Sequence, residues 1–368
     1  MEFVEMVVLV LITLLLVHLW VFQKLRNGVK RVIADTKSEH LSQLKISVVV
    51  PFRNEENHLS ELVHLLNTQT IASQYVEFVF VNDNSTDDSL QTLSESIRIQ
   101  RFKYTHRIIS LTGQKGKKRA LFEGVKNAQN ETIVQLDADC KPNSFWLEEI
   151  QSHFKEETDL LILPVSVEGN NHHWFQQLEF SALQFITFGM GGISTPVLSN
   201  GANLAYKKNT WMESFKDLKN GDSGDDVFLL QSFIEKKRTI QFRLNKQLVV
   251  STSPERNFHE FISQRLRWAG KNRNVNIPKY KLAMLYFGFS HAISFVLLMQ
   301  NVTFATIYFI IKIIIEFTQL RWFRSRYETK TGFIEFLFAA LIMPFYLIFI
   351  SLISLFYKPK WKGRKVVV

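Results

Sequence analysis

The sequence offers almost no sulfur chemistry. Its 368 residues include one cysteine, Cys140. A single thiol cannot form an intramolecular disulfide, and it suggests no cysteine-based zinc site. Cys140 directly follows Asp139 and reads as a small buried residue, not a nucleophile. Internal repeats and low-complexity segments are also missing, so no repeat array or biased linker organises the chain. The start has Glu2 and Glu5 in place of a basic region, and no Ala-x-Ala site follows. That argues against a cleaved signal peptide. Acidic residues are outnumbered: 44 Lys and Arg face 34 Asp and Glu, a formal charge of +10. Such a balance suits nucleic acid or an anionic membrane surface. The hydrophobic ends decide for the membrane, and no nucleic acid partner is expected.

Met6 to Phe22 is almost wholly apolar, interrupted by Thr13 and His18. With Phe3 and Val4 it is about 20 residues, enough to cross a hydrocarbon core of roughly 30 Å. Residues 1–23 are therefore expected to be a retained transmembrane anchor. Lys24, Arg26, Lys30 and Arg31 follow, and the positive-inside rule then puts the long middle region in the cytoplasm. Beyond Pro278 two more apolar stretches, Leu282–Gln300 and Val302–Leu320, suggest a tight hairpin. Lys312 and Glu316 lie one helical turn apart in the second and can pair there. Phe333–Tyr357 is apolar again, interrupted by Glu335 and Pro344, and residues 358–368 form a basic tail. Three C-terminal crossings after an outside N-terminus would leave that tail outside, against the positive-inside rule. A re-entrant or interfacial segment would remove the conflict, and the sequence leaves this open.

Residues 44–275 read as a soluble domain with alternating elements. Strand patterns at Ile46–Phe52, Val76–Val81, Arg107–Leu111 and Thr132–Leu136 are separated by helix patterns at Glu55–Asn67, Thr86–Ile97 and Lys117–Ala128. This order predicts an α/β fold with a parallel sheet and helices on both faces. A further strand is expected over Leu160–Val167 and an amphipathic helix over Trp174–Phe188.

Asp137-Ala-Asp139 closes the fourth strand, at the edge where open α/β sheets bind ligands. Two carboxylates at i and i+2 can share a hard divalent cation with substrate phosphates; the plain alternative is a solvated turn. The run Val49–Glu56 (VVPFRNEE) puts Asn54 and Glu55 at the same edge. The run Phe80–Asp88 (FVNDNSTDD) ends a strand in Asp83, whose carboxylate can accept from a nucleobase N–H or a ribose hydroxyl. Ser85, Thr86 and Asp87 are helix-cap types. Gly113–Arg119 (GQKGKKR) opens a helix with lysines, a phosphate-binding arrangement. Asp225 and Asp226 precede an apolar helix, where they can cap it or take a proton from an attacking hydroxyl. In Gln264–Trp268 (QRLRW), Gln264, Arg267 and Trp268 share one helical face. The indole can stack on a sugar ring and the guanidinium can hold a diphosphate oxygen; a juxtamembrane snorkelling patch is the alternative.

These motifs, with Gly201–Tyr206 (GANLAY), resemble the membrane-associated family 2 glycosyltransferases of GT-A fold. That group includes cellulose, chitin, hyaluronan and poly-N-acetylglucosamine synthases and ceramide glucosyltransferase. The resemblance spans about 44–275. It implies that Asp83 contacts the uracil or ribose, Lys117 the diphosphate and Asp137 the nucleotide. It implies Asp139 as the ligand of Mg²⁺ or Mn²⁺ and Asp226 as general base. Gln264, Arg267 and Trp268 would stand near the diphosphate and the acceptor end. Two departures are visible: Asn82-Asp83 where many members have two aspartates, and Gly224-Asp225-Asp226 where many have Thr-Glu-Asp. Both keep the key carboxylate.

The expected function is inverting transfer of a sugar from a nucleotide-sugar, a UDP-sugar by the resemblance, to a lipid-linked or glycan acceptor. The expected setting is a bacterial inner membrane with a cytoplasmic catalytic domain. The few membrane segments suit a lipid-linked acceptor, or a chain-forming protein with a partner subunit. A processive synthase of poly-N-acetylglucosamine or hyaluronan type is the first alternative. A non-catalytic nucleotide-sugar-binding assembly subunit is the second, and three carboxylate sites argue against it. A channel or transporter fits poorly with a soluble core of about 230 residues. Phe175–Met190 is expected to line the acceptor side.

Overall fold

Three strands deliver the functional loops because their sequences leave them no solvent face. The computed structural model describes residues 2–34, 44–113, 116–169, 171–215, 226–273, 275–326, 332–357, 360–361 and 364–365. In chain order its main elements begin with α1 (Glu2–Ala34), β1 (Ile46–Phe52), α2 (Glu56–Asn67), β2 (Val76–Asn82), α3 (Ser89–Ile99), β3 (Thr105–Ser110), α4 (Lys117–Asn127) and β4 (Thr132–Leu136). Then come β5 (Cys140–Pro142), α5 (Trp146–His153), β6 (Leu160–Ile162), β7 (Val165–Val167), α6 (Trp174–Gly192), β8 (Asn203–Lys207), α7 (Lys208–Phe215) and α8 (Val227–Glu235). The last are β9 (Ile240–Phe242), β10 (Val250–Thr252), α9 (Phe258–Arg273), α10 (Pro278–Gln300), α11 (Val302–Arg324) and α12 (Phe333–Ser354).

Every residue of β1, β2 and β4 is buried, as expected for strands covered on both faces. Alternate side chains feed two cores. Val49, Val81 and Ile133 join one; Val48, Phe80 and Val134 join the other. Each fully buried aliphatic side chain contributes roughly 1.5–3 kcal/mol. The main sheet has the order β3-β2-β1-β4-β8-β6-β9. The first four strands are parallel, so their C-terminal ends share one edge. β8 enters antiparallel between β4 and β6. A small sheet, β5-β10-β7, starts immediately after Asp139.

The single strand expected over Leu160–Val167 is two. It breaks at Leu163-Pro164, sending β6 to the main sheet and β7 to the small one. Proline has no N–H for the ladder. Its carbonyl accepts from Asn203 Nδ2 at 2.8 Å and from the Val250 N–H at 3.2 Å.

The apolar segments pack on the α/β domain. α1 runs to Ala34, beyond the anchor expected to end at residue 23. Its Phe22, Leu25 and Val29 join the same core as Phe185 and Phe188 of α6. Gly28 meets Gly189 and Gly192 of α6 so closely that a Cβ on Gly28 or Gly192 would strike backbone. The expected hairpin forms as α10 and α11, with Asn301 between them. Its Oδ1 accepts from the Thr303 and Phe304 N–H groups at 2.9 and 3.1 Å, capping α11. Lys312 and Glu316 pair at 2.7 Å, and His18 of α1 reaches Glu316 at 3.2 Å. Among the described residues three helical segments are long and apolar enough to cross a membrane: Val4–Ile33, Val302–Arg324 and Phe333–Ser354. Most of the basic tail, and Lys330 of the loop before α12, lie outside the described residues.

Candidate active site

The ten residues singled out from the sequence line one cleft of about 1160 Å³. They are Asn54, Glu55, Asp83, Lys117, Asp137, Asp139, Asp226, Gln264, Arg267 and Trp268. Asp225 lies outside the described residues, as do Gln114 and Lys115 of the basic loop.

The loops after β1 and β2 are stitched together. Asn54 sits in the left-handed region at φ 50°, which asparagine tolerates. Its Oδ1 accepts from the Thr86 N–H at 2.9 Å, and its own N–H donates to Ser85 Oγ at 3.1 Å. The Glu55 N–H donates to Ser89 Oγ at 2.7 Å, and the Glu55 carboxylate pairs with His58 at 2.9 Å. Ser85, Thr86 and Asp87 therefore link loops more than they cap α3, which starts at Ser89. Asp83 is buried. Its N–H donates to the Phe52 carbonyl at 2.8 Å, and its Oδ1 accepts from the Gly116 N–H at 3.0 Å. Gly116 has φ 110°, which only glycine reaches without strain, so the loop can turn onto Asp83 just before α4 begins.

α4 then presents Lys117, whose Nζ lies 2.7 and 2.9 Å from the two carboxylate oxygens of Asp137. Asp139 is engaged differently: its Oδ2 accepts from Thr252 Oγ1 of β10 at 3.0 Å. Cys140 beside it is fully buried. Burial first, then the charges of Asp139 and Asp137, push its thiol well above the usual range. It stays protonated, as its reading as a packing residue requires.

Asp226 opens α8 and does two things at once. Its Oδ1 accepts from the Val227 N–H at 2.7 Å. Lys271 Nζ reaches both its oxygens, at 2.8 and 3.0 Å. Burial opposes ionisation of this carboxyl, but the Lys271 ammonium outweighs burial and holds it below the ordinary carboxylate range. The pair's contribution to stability is present above that range and is lost as pH falls through the depressed value. The sequence reading missed Lys271. The signal was there: it lies seven residues after Gln264 and four after Arg267, on the same face of α9.

On α9, Gln264 donates to the Glu255 carboxylate and accepts from Arg265. Arg265 was not singled out. It is buried, pairs with Glu179 of α6 through its Nε at 3.0 Å, and lies 4.4 Å from the Trp268 ring. Glu255 is a further cleft carboxylate; burial, then the charge of Glu260, raises its pKa. Phe180, Leu183 and Thr187 of α6, within the Phe175–Met190 stretch expected on the acceptor side, line the cleft. So do Tyr280 and Met284 of α10 and Tyr357 beyond α12.

Among the described residues no three His, Cys, Asp or Glu side chains converge as a metal cage. A hard cation that takes one or two carboxylates and completes its shell with substrate phosphates and water does not need one. Asp139, with one oxygen held only by a hydroxyl, fits that role better than lysine-bound Asp137.

A mainly parallel sheet whose C-terminal edge gathers spaced carboxylates, a lysine-bearing helix start and a Gln-x-x-Arg-Trp helix defines a GT-A transferase. The chain belongs to glycosyl transferase family 2. The model described as glycosyl transferase family group 2 matches residues 132–356, and that of glycosyl transferase family 2 matches 47–210. The mannosyltransferase PcManGT from Pyrobaculum calidifontis, solved with GDP-Man and Mn²⁺, shares the fold. The likeness has a TM-score of 0.53 at 16% identity and covers 91% of this chain and 98% of that one. The dolichol-phosphate mannosyltransferase of Pyrococcus furiosus is 29% identical over 126 residues, 34% of each chain. The undecaprenyl-phosphate 4-deoxy-4-formamido-L-arabinose transferase of Klebsiella pneumoniae is 33% identical over 100 residues, 26% of this chain and 29% of that one. The match spans no more than 39% of the length of the first such relatives.

Proposed function

We propose that this glycosyltransferase moves a sugar from a nucleotide-sugar, a UDP-sugar, to a lipid-linked acceptor hydroxyl at the cytoplasmic face of a bacterial inner membrane. The organisation proposed is an anchor (1–23), a catalytic domain (44–275), membrane or interfacial helices (281–357) and a basic tail (358–368). One observation carries the reading: a single cleft is lined by the acidic edge of the sheet and by Tyr280, Met284 and Tyr357 from the apolar C-terminal segments. A donor with charged phosphates suits the first wall, and an acceptor that arrives from lipid suits the second. The two polyprenyl-phosphate-named relatives add support for the acceptor class.

In this reading Asn54 and Glu55 fix the base-binding loop, and Asp83 accepts from the uracil or ribose. Asp137 orients Lys117 toward the diphosphate. Asp139 would hold Mg²⁺ or Mn²⁺, which supplies charge neutralisation for the departing diphosphate when bound. Arg267 meets a diphosphate oxygen, Trp268 stacks on the sugar, and Gln264 holds the acceptor end. Asp226 takes the proton of the acceptor hydroxyl as that oxygen attacks the anomeric carbon from the face opposite the diphosphate. The experiment is release of nucleoside diphosphate from a panel of nucleotide-sugars in membranes, with extracted lipids as acceptors. Metal-dependent, lipid-stimulated release is expected. Binding of nucleotide-sugar with no turnover on any lipid would overturn the reading.

Lys271 adds a pH prediction. Asp226 keeps its charge in a buried site because of that ammonium. In Lys271→Gln, desolvation is left unopposed by its main partner, so the Asp226 carboxyl rises. The acidic limb of the kcat/KM profile should move to higher pH, with the alkaline limb little changed. An unmoved acidic limb would remove Lys271 from this role.

A further inference from the structure

α1 and α11 come together where their apolar stretches end. α1 leaves its apolar run at Phe22, and Arg26 follows one turn later. α11 closes with Trp322, Phe323 and Arg324, and Arg326 stands just beyond it. The Arg26 guanidinium lies 4.6 Å from the centre of the Trp322 ring, and that of Arg326 lies 5.2 Å from it. Two guanidinium charges from different helices therefore share one indole.

The place is rich in donors and poor in acceptors. A guanidinium carries five N–H groups. Among the described residues that of Arg26 makes one hydrogen bond, from Nη1 to Gln319 Oε1 at 3.4 Å, and its Nε is buried with no partner. The indole N–H of Trp322 and the guanidinium of Arg326 make no hydrogen bond among the described residues. None of Arg26, Arg321 and Arg326 is paired with a carboxylate there either. The negative end of a helix accounts for cations in its last turn only. Arg26 stands two turns before the end of α1 at Ala34, so its position needs another reason. Unbalanced positive charge repels itself and draws an anion.

The level is that of lipid headgroups. Lys24 lies 4.4 Å from the ring of exposed Trp20 on α1, a basic and aromatic pairing suited to a membrane boundary. The place is also separate from the cleft. Phe185 of α6 meets Phe22 of α1 at 5.9 Å and Phe323 of α11 at 5.4 Å. Leu183 and Thr187, on another face of α6, line the cleft.

We propose that Arg26, Trp322 and Arg326 form a binding site for the phosphate of an anionic phospholipid in the leaflet that faces the α/β domain. The site rests on the membrane placement of α1 and α11 proposed above, and it is distinct from the donor and acceptor cleft. Guanidinium groups match phosphate oxygens, and the indole N–H supplies a further donor. Basic pockets between membrane helices hold headgroups in this way. A lipid bound here ties α1 to α11 where both seat on α6, whose other face is a wall of the cleft.

The test uses full-length protein in neutral detergent, with bound lipid counted by native mass spectrometry. Phosphatidylglycerol and phosphatidylcholine are supplied in equal amounts; both carry a phosphate, but only the first has a net negative charge. Wild type should retain phosphatidylglycerol in preference. Arg26→Gln with Arg326→Gln should weaken that retention about 30-fold, the worth of two basic groups beside an anionic headgroup. Arg326→Gln alone removes no packed group and should weaken it about fivefold. Lys24→Gln with Lys30→Gln removes the same charge at the same level and should leave most of the retention. Equal losses in the two double variants would mean a diffuse basic surface and overturn the site. Equal retention of the two lipids by wild type overturns it as well. Displacement of the lipid by millimolar inorganic phosphate would make this a site for soluble anions and overturn the lipid assignment. No readout involves sugar transfer, so failure here leaves the donor and acceptor reading standing, and the reverse holds.

Discussion

Asp226→Asn is expected to lower kcat by about 10²–10⁴-fold, the usual worth of a positioned general base. Nucleotide affinity should change little. The substitution is mild in structural terms, because asparagine also accepts from a helix N-terminal N–H, and Val227 keeps its 2.7 Å partner. What is lost is the charge, and with it the ability to take a proton. In that proposed role Lys271 lowers its basicity and favours its ionisation in a partly buried site. A carboxylate in water would be ionised at neutral pH without help; a desolvated one needs the ammonium. Titration calorimetry with the nucleoside diphosphate separates the outcomes. Turnover near the wild-type rate would dismiss the base assignment. Lost nucleotide binding would mean that Asp226 holds the donor.

The elements legible in the sequence were those with continuous local signals. β1 and β4 run over the expected residues because both faces are covered, so every position is apolar or tied down. The hairpin of α10 and α11 showed as apolar length. The candidate cleft was legible in part, since Asp83, Asp137 and Asp139 follow strands whose ends the parallel order brings together, whereas Asp226 comes from the start of α8. What was hidden depends on partners distant in the chain. β8 has no local mark of running antiparallel; it pairs with β4 and β6, about 70 and 40 residues before it. Pro164 was visible, but that it hands the chain from one sheet to the other depends on Asn203 and Val250. Arg265 looked like a charge beside a motif, and only its Glu179 and Tyr346 partners reveal a buried tie between the motif helix and α12.

Asp139→Ala is expected to cost about 10²–10³-fold in transfer, the scale seen when one preorganised stabiliser of developing charge is removed. It should also abolish activation by Mg²⁺ or Mn²⁺. The neighbouring carboxylate provides the control. Both oxygens of Asp137 lie within 3 Å of Lys117 Nζ, so Asp137→Ala takes this carboxylate from Lys117 and, in the proposed reading, disturbs the diphosphate site without removing the cation's ligand. Asp139 accepts from the Thr252 hydroxyl on Oδ2 and from the Cys140 thiol at 3.9 Å on Oδ1, has no lysine or arginine partner of this kind among the described residues, and lines the cleft. The two variants should therefore differ in kind. Asp137→Ala should keep a metal requirement at reduced rate and weakened nucleotide binding; Asp139→Ala should be slow and indifferent to metal. Titrating Mn²⁺ against transfer rate in both variants reads this directly. If Asp139→Ala retains the wild-type metal dependence, the cation is held elsewhere. The short β5 that follows would then serve only to tie Cys140–Pro142 to β10, with Asp139 a structural neighbour of Thr252.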